Sequence, residues 1–221
     1  MIDKTLALRR RLAVAVVVFA PLALGMGGCA KLFTEPPRPL YRLTAPSDFP
    51  ATLPHVPAQF VVDMPYAPAA LDTQRIAVSK SPVSLDYLAD GDWVDRAPGL
   101  VQTALVEAFE NSKAVGGVGP QLLGLRADLV VESDLRHFEV VYDSATAAGE
   151  GTPQVAVAVA VKLVKVPEHK ILSETLISAR QAAVANATPQ IVVAFDTAAT
   201  SVAKQVVSWA IANAGLPVRR R

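Results

Sequence analysis

Cys29 is the only cysteine among 221 residues, and the segment before it gives its thiol a task. Lys4, Arg9, Arg10 and Arg11 make a basic start, Leu12 to Leu24 is an apolar run, and Gly25-Met26-Gly27-Gly28 brings small residues up to the cysteine. A positive start, a short apolar stretch and a small-residue cleavage site are the parts of a secretory signal. A cysteine at the end of such a signal is the pattern of a bacterial lipoprotein. There the sulfur takes a diacylglycerol, the chain is cut before the cysteine, and the new amine is acylated. A thiol nucleophile and small neighbours are what that chemistry needs. Two plainer readings are an uncleaved anchor helix and a buried core cysteine. The run is about 17 residues, at the short edge of what spans a bilayer, and Pro21 and the glycines weaken it as a permanent helix. Four basic residues ahead of Cys29 argue against a core segment. Ala30, in place of an aspartate that would retain the protein in the inner membrane, points to the periplasmic face of the outer membrane.

Other chemistry is sparse. The chain has no GxxxxGK[ST], no GxSxG and no HExxH. Gly116-Gly117-Val118-Gly119 lacks the lysine of a phosphate loop and reads as a turn. His55, His137 and His169 are 82 and 32 residues apart, too dispersed for a metal motif. Asp90-Gly91-Asp92-Trp93-Val94-Asp95 is the densest acidic cluster. It departs from the EF-hand spacing and reads as a solvated loop whose acids favour the next helix N-terminus. Asn186-Ala187-Thr188 matches a glycosylation sequon, but Thr188 has a capping role to play and a lipoprotein signal implies a bacterium. The expectation is a chain with no catalytic constellation, no metal and no cofactor.

The elements must then position an anchor and a surface rather than an active site. Removing 28 residues leaves 193, enough for one domain with a core. The signal carries a net charge of +3, so the formal charge falls from +1 to −2, which excludes a basic nucleic-acid binder. Residues 31 to 57 hold Pro36, Pro37, Pro39, Pro46, Pro50, Pro54 and Pro57. Such density favours extended polyproline geometry and reads as a tether, with Tyr41-Arg42-Leu43 able to dock as a short strand.

Ala58 to Asp63 and Arg75 to Ser79 are apolar runs bounded by turn residues and read as strands. Ala97 to Ser112 reads as a helix, with Pro98 in its first turn and Leu100, Val101, Ala104, Leu105, Ala108 and Phe109 on one face. The next sixty residues read as antiparallel sheet. Leu129 to Tyr142 changes face near His137, which suggests a bulge. Gln154 to Val166 alternates valine with alanine, so it is expected to be covered on both faces, the alanines admitting a helix. Lys170 to Val184 follows a turn at Pro167-Glu168-His169. Thr188 to Ala214 closes the chain as a helix capped by Thr188, with Ile191, Phe195, Ala198, Val202, Val206 and Trp209 in a core stripe. Arg219, Arg220 and Arg221 form a solvated tail. The pattern predicts a single α/β domain with a mixed, largely antiparallel central sheet packed by helices. The divisions are 1–28 signal, 29–57 lipidated tether, 58–216 domain and 217–221 basic tail.

The mature chain resembles the ABC-type transport auxiliary lipoproteins. The likeness runs in order through Cys29, Tyr41-Arg42-Leu43, Met64-Pro65-Tyr66, Leu71-Asp72-Thr73-Gln74-Arg75-Ile76-Ala77-Val78, Trp93 ahead of a helix, Ala127-Asp128-Leu129, Phe138 and Trp209. Ala67-Pro68-Ala69-Ala70 looks like an insertion after the family's tyrosine. The resemblance implies a non-catalytic part of a transport system, partnered with an MCE-domain protein, an inner-membrane permease and an ATPase. Its cargo would be phospholipid or another hydrophobic molecule, and its attachment to the membrane the lipid on Cys29. Tyr66 and Trp93 are the residues expected to shape a partner surface; the competing role for each is an aromatic plug in the core. The other functional class is a stand-alone envelope binder. A binder should keep a concave apolar pocket with convergent polar groups, whereas an adaptor should expose a patch or assemble as a homo-oligomer.

Overall fold

A computed structural model of the chain describes residues 37–81, 83–121, 126–142 and 152–215. The signal, Cys29 and the arginine tail lie outside the described residues. Eight strands and two helices follow in the order β1 (Leu40–Tyr41), β2 (Val56–Val62), β3 (Arg75–Ser81), β4 (Ser84–Trp93), α1 (Ala97–Ser112), β5 (Val115–Pro120), β6 (Leu129–Val141), β7 (Gln154–Lys165), β8 (Lys170–Ala182) and α2 (Thr188–Asn213).

One mixed sheet holds all eight strands, and β6 organises it. On one side β6 pairs antiparallel with β7 along its whole length, and β7 pairs antiparallel with β8. The other side of β6 is shared between two parallel partners. Leu129–Val131 takes Phe60–Val62 of β2, and Glu139–Val141 takes Ala77–Ser79 of β3. Beyond them β5 runs parallel to β2, β4 antiparallel to β3, and β1 parallel to β4. The predicted α/β domain with a mixed, largely antiparallel sheet is the fold observed, and the predicted break near His137 is a register shift between Leu135 and His137.

α2 packs on β7 and β8, and α1 packs on α2 and on β5. Val157 and Val159 of β7, Val101, Ala104 and Leu105 of α1, and Ala199, Val202 and Ala203 of α2 surround one small apolar space between these layers. All six residues predicted for the inner face of α1 are buried, as are Ile191, Phe195, Ala198, Val202 and Val206 of α2; Trp209 lies at the rim. Burial at roughly 25 cal/mol per Å² of apolar surface makes this interlocked layer the main source of stability.

Four local expectations differ from the structure. Ser84–Trp93 is a strand, so Asp90 and Asp92 lie in β4 rather than in a loop, and only Asp95 sits at the start of α1, accepting from Arg96 N at 2.7 Å. Gly116-Gly117-Val118-Gly119 is strand β5 and not a turn; a Cβ on Gly116 would lie 3.1 Å from both N and O of Ala58, so the glycine permits close parallel pairing. The N-cap of α2 is Ala187, with no side-chain bond, because Thr188 is already helical. β7 is buried on both faces near its start, as expected, but the alanine face admits no helix in the described residues: Ala156 and Ala158 lie outside the main core, in rows with Glu139 and Arg180 and with His137 and Ser178.

Candidate functional site

Side-chain alternation and strand register define a second, open face of the sheet. In a pleated sheet, residues directly opposite one another share a face. Leu135, Val159 and Ile177 form one row toward the helices and are buried. The neighbouring row, Asp134, Ala160 and Leu176, therefore faces away from them.

Tyr66 joins that row. Between the stretches where β2 and β3 pair with β6, the chain returns to β6 at one isolated parallel bridge, Tyr66 with Asp134. Tyr66 N donates to Ser133 O at 2.9 Å, and Leu135 N donates to Tyr66 O at 2.8 Å. The backbone is thus fixed while the phenol is 70% exposed. Pro65 holds the approach to the bridge extended, by fixing its own φ and steering Met64 away from helix. The row reads Tyr66, Asp134, Ala160, Leu176 across four chain segments, and Leu176 is 62% exposed. The exposed phenol and Leu176 thus stand at the two ends of this row, with Asp134 and Ala160 between them.

Charged groups flank this strip. The next row carries Glu132, Lys162 and Glu174. Asp63, whose N donates to Val131 O at 3.1 Å, stands beside Glu132. Burial, and secondarily the charge of Glu132, hold the Asp63 carboxyl above the usual aspartate range. On the other side His137 Nδ1 lies 2.8 Å from Glu139 Oε1, and Arg136 pairs with Asp134 at 2.7 Å. Among the described residues no group of three or more His, Cys, Asp or Glu could hold a metal ion.

A raised aspartate pKa has a sign. The folded state binds that proton more tightly than the unfolded chain, so the stabilisation is complete at low pH and is lost as pH climbs to the folded pKa. Asp63→Asn is therefore expected to raise the denaturation midpoint at pH 7, with the advantage shrinking as the pH is lowered through the aspartate range. Urea titrations of both proteins at several pH values check this; an advantage independent of pH would count against it.

Trp93 is placed elsewhere. It is fully buried at the end of β4, with Phe138 at 5.5 Å and Phe195 at 5.2 Å, on the helix side of the sheet. The sheet thus separates it from Tyr66, and the two do not form one site. Met64, 45% exposed, and Leu176 are surface residues that the sequence reading missed. The signal for Leu176 was the pair Leu176-Ile177: two consecutive large apolar residues in a strand cannot both face the core.

A groove of about 740 Å³ lies between β8 and α2, lined by Phe49, Ile177, Trp209 and neighbours; Leu176, on the edge strand β8, borders both this groove and the open face. Its charged groups, Asp48 and Lys204, are 2.6 Å apart and satisfy each other.

The family described as the ABC-type transport auxiliary lipoprotein component matches residues 41–207. An uncharacterized protein of Bradyrhizobium diazoefficiens is 27% identical over 175 residues; the match takes in 77% of this chain but only 44% of that relative. Among solved structures, protein XCC0632 of Xanthomonas campestris superposes with a TM-score of 0.69 at 23% identity, over 80% of this chain and 94% of that one. A second crystal structure, of an uncharacterized protein, gives 0.55 at 14% identity over 81% and 97%. Those two similarities establish the shared fold.

Proposed function

The chain belongs to the ABC-type transport auxiliary lipoprotein family, and we propose that it is a non-catalytic envelope subunit held by lipid on Cys29 at the periplasmic face of the outer membrane. In this reading residues 1–28 are removed, and the domain serves an MCE-domain protein that works with an ABC permease and an ATPase. The cargo is phospholipid or another hydrophobic molecule. The observation that supports an adaptor is the open face. Tyr66 is clamped by two backbone hydrogen bonds yet exposes its ring on the same face of the sheet as Leu176. A rigid aromatic anchor with charged flanks is the composition of a protein-binding hot spot. Trp93 has no surface to offer a partner, so the contact falls to Tyr66.

The test is affinity purification of the tagged, lipidated protein from detergent-solubilised membranes after mild cross-linking, with Tyr66→Ala in parallel. An MCE-domain protein, permease or ATPase is expected with the wild type. Loss of a central aromatic costs about 2 kcal/mol or more, so recovery with Tyr66→Ala is expected to drop about thirtyfold while the domain stays folded. Equal recovery would remove Tyr66 from the interface, and recovery of the bait alone would sink the auxiliary-subunit reading.

The second reading, a stand-alone binder, draws on the groove beside α2. Its two charged groups, Asp48 and Lys204, pair with each other, which counts against a charged ligand there.

A further inference from the structure

The proline-rich segment lies on the domain through most of its described length. Its prolines lack N–H groups but keep their carbonyls, and the domain supplies donors to them. Asp92 N donates to Pro39 O at 3.1 Å, and Asn111 Nδ2 donates to Pro46 O at 3.0 Å. Between these, Val94 N donates to Tyr41 O at 2.8 Å, and Gly91 leaves room for the Tyr41 ring, since a Cβ there would lie 2.6 Å from Tyr41 Cε2. Thr44 gives both its N–H and its hydroxyl to Asp196, at 2.6 and 2.7 Å, and Thr200 Oγ1 donates to Thr44 O at 3.3 Å. Lys204 pairs with Asp48, whose carboxyl it holds below the usual aspartate range by hydrogen bonding. Leu43, Phe49 and Leu53 pack against the core.

We propose that Arg38–Pro50 is a fixed strap, so that the lipidated protein carries its domain close to its own membrane on a short leash. The inference rests on Cys29 being the anchor. Nine residues from Cys29 to Arg38 span at most roughly 32 Å. A tether free from the cysteine to Pro57 could extend to about 87 Å at polyproline rise. With the strap docked, Arg38 stays within that shorter distance of the anchor. A protein partner must then itself reach to this membrane, because the domain cannot extend far toward it.

Two measurements on the full lipidated protein in nanodiscs test this. In hydrogen exchange, the amides of Thr44 and Val94 are expected to be protected, and Asp196→Ala is expected to speed exchange at Thr44 about ten- to a hundredfold, the scale of losing bonds to a charged acceptor. In energy transfer, a dye on Val94→Cys, with the Cys29 thiol blocked by acylation, is expected to transfer to headgroup acceptors. That transfer is expected to be lost when Asp196→Ala and Gly91→Leu are combined to release the strap. Unprotected strap amides, or transfer that is indifferent to release, would overturn the strap while the protein remained on the disc. A protected strap on protein that never associates with the disc would overturn the anchor instead, and the inference with it.

Discussion

Trp93→Ala is expected to destabilise the domain by about 3–5 kcal/mol, the range for emptying a large aromatic site in a core. Trp93 closes β4 just before α1 begins. Its N donates to Gln74 O at 2.6 Å, and its ring meets Phe195 of α2 edge-on and Phe138 of β6 at a tilt, while those two lie 5.0 Å apart. All three rings are fully buried, so the alanine variant leaves a cavity bounded by sheet and helix, which collapse poorly. For a domain of this size the loss corresponds to a fall of about 6–20 °C in Tm. Trp93→Phe is expected to cost much less. It keeps most of the packing and removes the indole Nε1, which has no hydrogen-bond partner among the described residues; leaving such a group buried costs about 1–3 kcal/mol. Thermal unfolding of the three proteins checks both. Equal losses for Ala and Phe would mean that the indole N–H, and not the ring volume, is what the site needs.

Trp93 and Tyr66 also show what the sequence made legible. Both are aromatics in motifs that resemble a family's in their order along the chain, and local patterning does not say on which side of the sheet each falls. The strands with regular alternation could be read: Gln154–Lys165 places valine after valine on one face, and its neighbours follow as antiparallel hairpins whose register is local. The helices were legible because their apolar residues recur at helical spacing and both start near a proline. β4 was not, because Ser84–Trp93 is mostly solvated and carries Asp86, Asp90 and Asp92 with Gly91. β5 was not, because the glycines that let it approach β2 are also turn-formers. The parallel pairings of β6 with β2 and β3 join residues about 60 to 70 positions apart. No periodicity within a strand encodes a partner that distant. The bridge that presents Tyr66 lies between those two pairings, so the candidate surface was illegible for the same reason. The strap shows the converse limit: proline density points to extended chain, and that alone does not distinguish a free tether from one held by hydrogen bonds to β4, α1 and α2.

Cys29→Ala is expected to abolish lipid attachment and leave the 28-residue leader uncleaved, since the thiol is the acceptor on which the later steps depend. Intact mass should show the wild-type mature chain beginning at Cys29 with acyl groups, and the variant heavier by the leader and lacking them. Membrane association needs a separate variant, in which a conventional cleavable leader precedes Ala30. Each buried methylene contributes about 0.8 kcal/mol; one myristoyl chain gives only marginal binding, and multiple chains are needed for stable anchoring. Among the described residues one helix could be considered as a substitute. Thr188–Asn213 is long and apolar enough to cross a membrane, but Ile191, Phe195, Val202 and Val206 are packed into the core at 0–3% exposure. Releasing them to lipid would mean dismantling the helix layer over β7. The unacylated domain is therefore expected in the soluble periplasmic fraction, folded, and with an unchanged Tm. Persistence in membranes after a high-salt wash would locate an attachment outside Cys29 and undo the leash argument together with the anchor. Clean release would leave the acylated cysteine as what fixes where the Tyr66 face meets its partner.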